Sequence, residues 1–357
     1  MKSKVFFIPA SREEIGRGIP AINKLFQGGG FGDCFEARDL TGIKTHFGEK
    51  GNDTHIPWQW VKAVATLLKR AKARPFVTDT NVLYKSQRDN AVNHLELAHR
   101  HGFTHENLGV PVLIADGLIG SSERTVPIPG ELYQQVSLSS VAVEAQALVI
   151  LSHVTGHMNT ALGGTIKNMG MGFASRKGKL KQHSTSKPLI DPRACTGCGV
   201  CIEWCPEDAI AMQGETAVID QGSCIGCGEC LAVCRFDAVR HNWQVGENEL
   251  QKHMAEHAFG IVQTKRDKIV CFNFLTAMTR NCDCVGGHQD PVIPDIGILA
   301  STDPVAVDAA ALDLIREITG KTLESVSFPD IDPWAQIRHG EKIGMGNAEY
   351  DLIAIDV

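Results

Sequence analysis

The chain has 357 residues, 43% hydrophobic and 21% charged, enough to bury a real core and to give a prior of about two domains. Thirty-five basic against 41 acidic residues leave a formal charge of −6, which argues against a general nucleic-acid binder. Eight of the 12 cysteines crowd between Cys195 and Cys234, unlike the spread of a small secreted disulfide scaffold.

The first residues, MKSKVFFIPASREE, are too short in apolar character for a secretory segment or a membrane span. A cytoplasmic location is therefore expected, where thiols stay reduced and clustered cysteines bind metal more often than they pair. Ile43 to Phe47 reads as a strand. Pro57 then stands at a first helical turn, with Val61, Val64, Leu68 and Ala71 following at helical spacing. Phe76 to Asp79 reads as a strand, Gln87 to His101 as a helix and Val112 to Asp116 as a strand. The apolar stretch Val136 to Val154, broken by Glu144 and Gln146, reads as a helix followed by a buried strand, Leu148 to His153.

Next comes the densest polar stretch: His153 and His157, the run Gly163-Gly164-Thr165-Ile166-Lys167-Asn168-Met169-Gly170-Met171-Gly172, then Arg176 and His183. Four glycines in ten residues imply a backbone that turns sharply or approaches something closely. No Gly-Lys-Ser/Thr closes the run, and it is not a dinucleotide fingerprint. Phe173 to Lys187 holds Arg176, Lys177, Lys179, Lys181 and Lys187 and no acid. That basic run reads as a solvated linker, an anion site or a contact for acidic surface.

The cysteines then form two runs, Cys195-x2-Cys198-x2-Cys201-x3-Cys205-Pro206 and Cys224-x2-Cys227-x2-Cys230-x3-Cys234, offset by 29 residues at every cysteine. Three thiolates on a tight loop containing glycine can wrap three corners of an iron-sulfur cube, and in a two-cluster arrangement the fourth comes from the other run. Cluster one is thus assigned Cys195, Cys198, Cys201 and Cys234, and cluster two Cys224, Cys227, Cys230 and Cys205. Four-cysteine zinc sites usually set two C-x2-C knuckles further apart. Residues 188–243 carry eight acidic and three basic side chains, and the clusters add further negative charge.

Beyond the cysteines, Lys268 to Phe274 and Ile296 to Ser301 read as strands, and Asp303-Pro304 opens a helix to about Ile315. The alternation predicts an α/β domain with a mainly parallel sheet, residues 1–187 and 246–357, interrupted by a small α+β ferredoxin-type domain at 188–245. Strand ends at Asp79, Asp116, His153 and Ser301, with His46 and Asn273 within strands, predict a polar crevice along one sheet edge. Cys34 and Cys271 read as small buried hydrophobes. Cys282-Asp283-Cys284 differs, because residues i and i+2 of an extended chain project to one side. With imidazoles from His153, His157, His183 or His288, these two thiols make a candidate soft metal site or cluster anchor, or a redox-active pair.

Residues 188–243 resemble bacterial-type ferredoxins with two 4Fe-4S clusters, with Arg235 where such repeats usually carry a proline. The run LSHVTGHMNTALGGTIKNMGMGFASRKGKLKQH, with DTNVLY before it and GILASTDPVAVDAAALDLI after it, resembles the iron-sulfur centre proteins of domain-of-unknown-function family 362. This resemblance implies cluster binding, an α/β core and a shared site lined by His153, His157, Lys167, Asn168 and His183. Three functions remain open. One is electron transfer to or from an iron-sulfur or flavin partner, or a further metal centre in the α/β domain. Another is a cluster-dependent reductase acting on a small anion near His153, Lys167, Asn168 and Arg176. The last is a scaffold with structural clusters.

Overall fold

The computed structural model describes residues 2–16, 20–183, 187–205, 207–224, 226, 229–240, 247–265 and 267–356. Of the predicted cluster ligands, Cys227 lies outside the described residues, as do Pro206 and Gly228.

Among the described residues, eight strands form one large sheet: β1 (Ser3–Pro9), β2 (Leu40–Lys44), β3 (Arg74–Asp79), β4 (Val112–Ile114), β5 (Ala147–His153), β6 (Ile269–Leu275), β7 (Gly297–Ser301) and β8 (Tyr350–Ala354). Their order is β8-β1-β7-β6-β5-β2-β3-β4. Every neighbouring pair is parallel except those of β7, which runs against both β1 and β6. The helices that bear on the site are α1 (Trp58–Arg70), α2 (Ala91–Arg100), α3 (Thr165–Gly170), α4 (Arg176–Gln182), α5 (Glu247–Lys265) and α6 (Pro304–Thr319).

The sequences of β5, ALVILSH, and β6, IVCFNFL, are buried at every residue. Unbroken apolar runs of this kind suit parallel strands covered on both faces. Along β5, Leu148 and Ile150 enter one core with Ala255 and Ala258 of α5 and Val307 of α6. Ala147, Val149 and Leu151 enter the other, with Val61, Val64 and Leu68 of α1, as the two-residue period requires. The result is a three-layer α/β/α arrangement. Asp303 starts α6 by accepting from the backbone N–H of Val305 (2.8 Å) and Ala306 (3.1 Å). No helix among the described residues is long and apolar enough to cross a membrane.

Several expected elements move. The first strand ends at Lys44 rather than Phe47, because its pairing with β3 and β5 stops there. His46 therefore sits in the loop beyond the strand. Val136 to Val154 holds a strand (Gln135–Ser139) and a short helix (Ser140–Glu144) before β5, where a helix alone was expected. That strand pairs with Glu123–Pro127 in a hairpin. Ser301 ends the one reversed strand, so it lies at the opposite edge from Asp79 and His153 and donates to the Lys4 carbonyl (2.8 Å).

The cysteine-rich segment leaves and rejoins along an antiparallel pair, Leu189–Ile190 with Val239–Arg240, and contains the hairpin Ile210–Gln213/Thr216–Ile219. Helices Val200–Glu203 and Glu229–Val233 follow its two cysteine loops. The sequence repeat is also a backbone repeat. Gly197 and Gly226, 29 residues apart, take φ of 66° and 69°, while Asp208 and Asp237 take 49° and 51°.

Candidate functional site

At the carboxyl ends of β2 and β5 lies a cavity of about 50 Å³, whose lining includes Thr45, His46, Ser152, His153, Lys167 and Cys282. Its floor is a charged lattice. Lys44, 1% exposed, pairs with Asp79 (2.9 Å) and donates to Asn168 Oδ1 (2.8 Å). Asn168 in turn donates to the Leu151 carbonyl (2.9 Å) and Ser152 Oγ (3.0 Å), so its amide orients Lys44. Burial works against the Asp79 charge, but Lys44, His46, His94 and Arg88 outweigh it and hold the carboxyl below the usual range. Arg88, also buried, donates to Glu49 (3.1 Å), His46 Nε2 (2.7 Å) and the Tyr84 hydroxyl. Deeper still, Lys179 of α4 donates to Thr80 Oγ1 (2.7 Å) and the carbonyls of Asn81 (2.6 Å) and Ala174 (3.0 Å). Burial draws its ammonium down to about 8.

The glycine-rich loop is consumed by packing. Asp308 of α6 accepts from the backbone N–H of Thr165 and Ile166 (both 2.8 Å), capping α3 from outside. A Cβ on Gly164 would stand 2.5 Å from the Asp308 carboxylate, and one on Gly170 would strike the Met254 carbonyl of α5. These glycines let protein approach protein. With α3 so held, Lys167 lines the cavity, its Nζ 3.7 Å from Cys282 Sγ. Burial, with Arg88 nearby, lowers the Lys167 ammonium to about 8.

Cys282 and Cys284 are joined as a disulfide. Asp283 between them is buried and faces His153 Nδ1 (3.0 and 3.1 Å), while His153 Nε2 meets the Thr276 carbonyl (2.8 Å). Both ring nitrogens of His153 are thus engaged by protein acceptors. Burial opposes the Asp283 charge, and His153 outweighs it, keeping the carboxyl below its ordinary range. Of the four histidines considered with the two cysteines, His157 is the one brought to them: its ligand atom and both sulfurs lie within 4.8 Å of one another. Its Nδ1 accepts from the Asn159 N–H (3.2 Å) and lies 3.0 Å from the Thr160 hydroxyl oxygen. Burial, with Lys167 and His183 close by, depresses its protonation. His183 caps the end of α4 and is buried. His288 is exposed, between Asp53 (2.8 Å) and Asp290 (3.3 Å). Arg176 lies outside the cavity lining, with its backbone N–H on the Gly120 carbonyl.

In the cysteine-rich segment, Cys195, Cys198, Cys201 and Cys234 line one small hollow with Ile190, Ala217 and Val239. Burial raises the Cys201 thiol, and Cys195, Cys198 and Cys234 beside it raise it further. Backbone N–H groups point at sulfur from Ala217 to Cys195 (3.4 Å), Ala209 to Cys205 (3.3 Å) and Gly226 to Cys224 (3.4 Å). The basic run meets this segment: Lys177 pairs with Glu229 (2.9 Å), Lys187 donates to the Gln221 carbonyl, and Glu229–Val233 packs on α4.

The model of the domain of unknown function DUF362 matches residues 41–313. The chain belongs to the DUF362 family. The matched range runs from β2 into α6 and so takes in both cysteine clusters and the cavity. No curated protein matches. Among solved structures, the chain is similar to the lactate racemase apoprotein from Thermoanaerobacterium thermosaccharolyticum (12% identity, TM-score 0.43, 89% of this chain and 57% of that one). It is also similar to a structural-genomics protein from Thermotoga maritima (10% identity, TM-score 0.44, 89% and 59%). The chain thus spans less than two thirds of either.

Lys44, Arg88 and Glu49 of this DUF362 protein carry no local signal in the sequence. Lys44 ends an apolar strand, and Arg88 and Glu49 stand in polar loops. Asp283 had a signal, a carboxylate set between two cysteines. Thr45 and Thr155, two hydroxyls of the cavity wall, had none.

Proposed function

We propose that residues 188–245 form an inserted ferredoxin-type module with two 4Fe-4S clusters, and that the protein passes single electrons between a redox partner and the α/β domain. Cys195, Cys198, Cys201 and Cys234 would hold one cluster, and Cys224, Cys227, Cys230 and Cys205 the other. The observation that carries this reading is the hollow that gathers Cys234 with the first three cysteines of the other run, rather than Cys205. All-thiolate donors and backbone N–H groups aimed at sulfur suit a cluster, and such hydrogen bonds help to set its potential. When bound, each cluster supplies one-electron storage. An iron-sulfur or flavin protein is the partner class this chemistry suits.

The test is anoxic reconstitution. About eight irons per chain and a broad absorption at roughly 400 nm that bleaches on reduction are expected. Zinc in place of iron, or no reducible chromophore, would overturn the reading.

A second reading, a cluster-dependent reductase of a small anion, is favoured by the cavity at His153, Lys167 and Asn168, with Arg176, the fourth residue expected there, outside its lining. There the Lys167 ammonium stands with the hydroxyls of Thr45 and Thr155, which lack hydrogen-bond partners among the described residues. A half-buried cation beside spare donors suits a carboxylate or an inorganic oxyanion. Thermal-shift screening with formate, acetate and phosphate tests it: stabilisation lost in Lys167→Ala and kept in Cys230→Ser supports a substrate site, and no response to any of the three counts against one.

A further inference from the structure

We propose that the Cys282–Cys284 pair is a two-electron store served by the cysteine-rich segment, cycling between disulfide and dithiol at the wall of the cavity. The inference rests on the two-cluster reading above and adds the destination of the electrons.

A disulfide stabilises chiefly by closing a loop in the unfolded chain, and the gain shrinks as the loop shortens. A bond between residues two apart constrains almost nothing, so a structural staple is a poor account of it.

Cys282 is part of the cavity lining, and its sulfur lies 3.7 Å from Lys167 Nζ. An ammonium at that distance favours the thiolate released when the bond opens. The segment between the sulfurs is pinned independently: the Asp283 carbonyl accepts from the Glu49 N–H (2.9 Å) and its carboxylate holds His153. Asp283 can therefore stay anchored while the two sulfurs part.

Glu229–Val233, the helix that follows the second cysteine loop, packs on α4 and is tied to it by Lys177–Glu229. The helix α4 is capped at its carboxyl end by His183, which acts electrostatically on His157, and the ligand atom of His157 lies within 4.8 Å of both sulfurs. One short helix thus packs on the cysteine-rich segment at one side and ends at a histidine that acts on His157, the neighbour of the two sulfurs.

The chemistry balances. The S–S bond breaks, two electrons enter, one from each reduced 4Fe-4S cluster, and two protons come from solvent. Two thiols result, and both clusters return to the oxidised state. Two one-electron carriers suit one two-electron acceptor.

Anaerobic reductive titration of the cluster-loaded full chain tests the proposal, with alkylation of the titrated protein read by mass spectrometry. The wild type should take up about four electrons and the Cys282→Ser/Cys284→Ser variant about two, a halving with the cluster spectrum unchanged. Iodoacetamide should label Cys282 and Cys284 after reduction in loaded protein, and much more slowly in cluster-free protein given the same dithionite. Alkylation of the wild type decides alone if the double variant does not fold. Uptake of about two electrons with both cysteines unlabelled, while the clusters bleach, would overturn this proposal and leave the electron-transfer reading standing. Equal labelling with and without clusters would also overturn it. A protein that holds no cluster would remove both.

Discussion

Lys44 and Asp79 end adjacent parallel strands and meet 2.9 Å apart beneath the cavity, each nearly devoid of solvent contact. Their charges hold each other in place, and each would be costly alone. Lys44→Met should destabilise the protein by about 3–5 kcal/mol, because it leaves a buried carboxylate without its ammonium. Lys44→Met/Asp79→Leu should recover much of that loss. Urea denaturation of the two variants checks the prediction, and equal losses in both would contradict it.

Gly164→Ala should lower stability by about 1–3 kcal/mol, since the new methyl would press on the Asp308 carboxylate that caps α3. The same shift displaces Lys167 three residues on, so any anion-dependent thermal stabilisation should weaken with it. A melting temperature equal to wild type would mean that Asp308 moves aside freely.

His257 of α5 is fully buried, with Nδ1 donating to the His253 carbonyl (2.9 Å), and burial lowers its protonation to about 3. Its neutral form is favoured on folding, so its contribution is complete above the ordinary imidazole range and is lost as pH falls from about 6.5 toward 3. Asp308, raised to about 6 by burial, works the other way: its contribution declines as pH rises from about 4 to 6. The wild type and His257→Asn should therefore differ in slope, the variant losing less stability on acidification by up to about 1.4 kcal/mol per pH unit. Denaturant midpoints from pH 7.5 down to 4.5 measure this; parallel curves would refute it.

Cysteine pairing can be read from non-additivity. Cys201→Ser and Cys234→Ser line one hollow, so each variant, and the two together, should retain about four irons. Cys201→Ser/Cys205→Ser should retain far fewer, because those residues would serve different clusters. Iron assay after anoxic reconstitution distinguishes this exchange from clusters built within single runs, for which the two double variants would trade places.

The sheet was legible where local chemistry decides structure. Pro57 stands before α1, and Asp303-Pro304 opens α6 with the cap that the pair implies. Apolar runs marked β5 and β6 because both faces of each are covered. Strand direction was not legible: Ser301 reads like Asp79 until β7 is seen to run the other way. The site divides similarly. His153, Lys167 and Cys282 stood out by residue type and reach the cavity, whereas Lys44 and Arg88 were hidden because their partners lie 35 to 124 residues away or across a loop. Lys177 of the basic run finds its acid in the cysteine-rich segment, a contact that charge alone suggested and only three-dimensional placement specifies.

The two-residue strands Leu189–Ile190 and Val239–Arg240 lie side by side, about one strand spacing apart. A tight turn of a few residues spans that gap. A short turn in place of the cysteine-rich segment would therefore not stretch the chain on either side, and it would strip Lys177 of its partner Glu229.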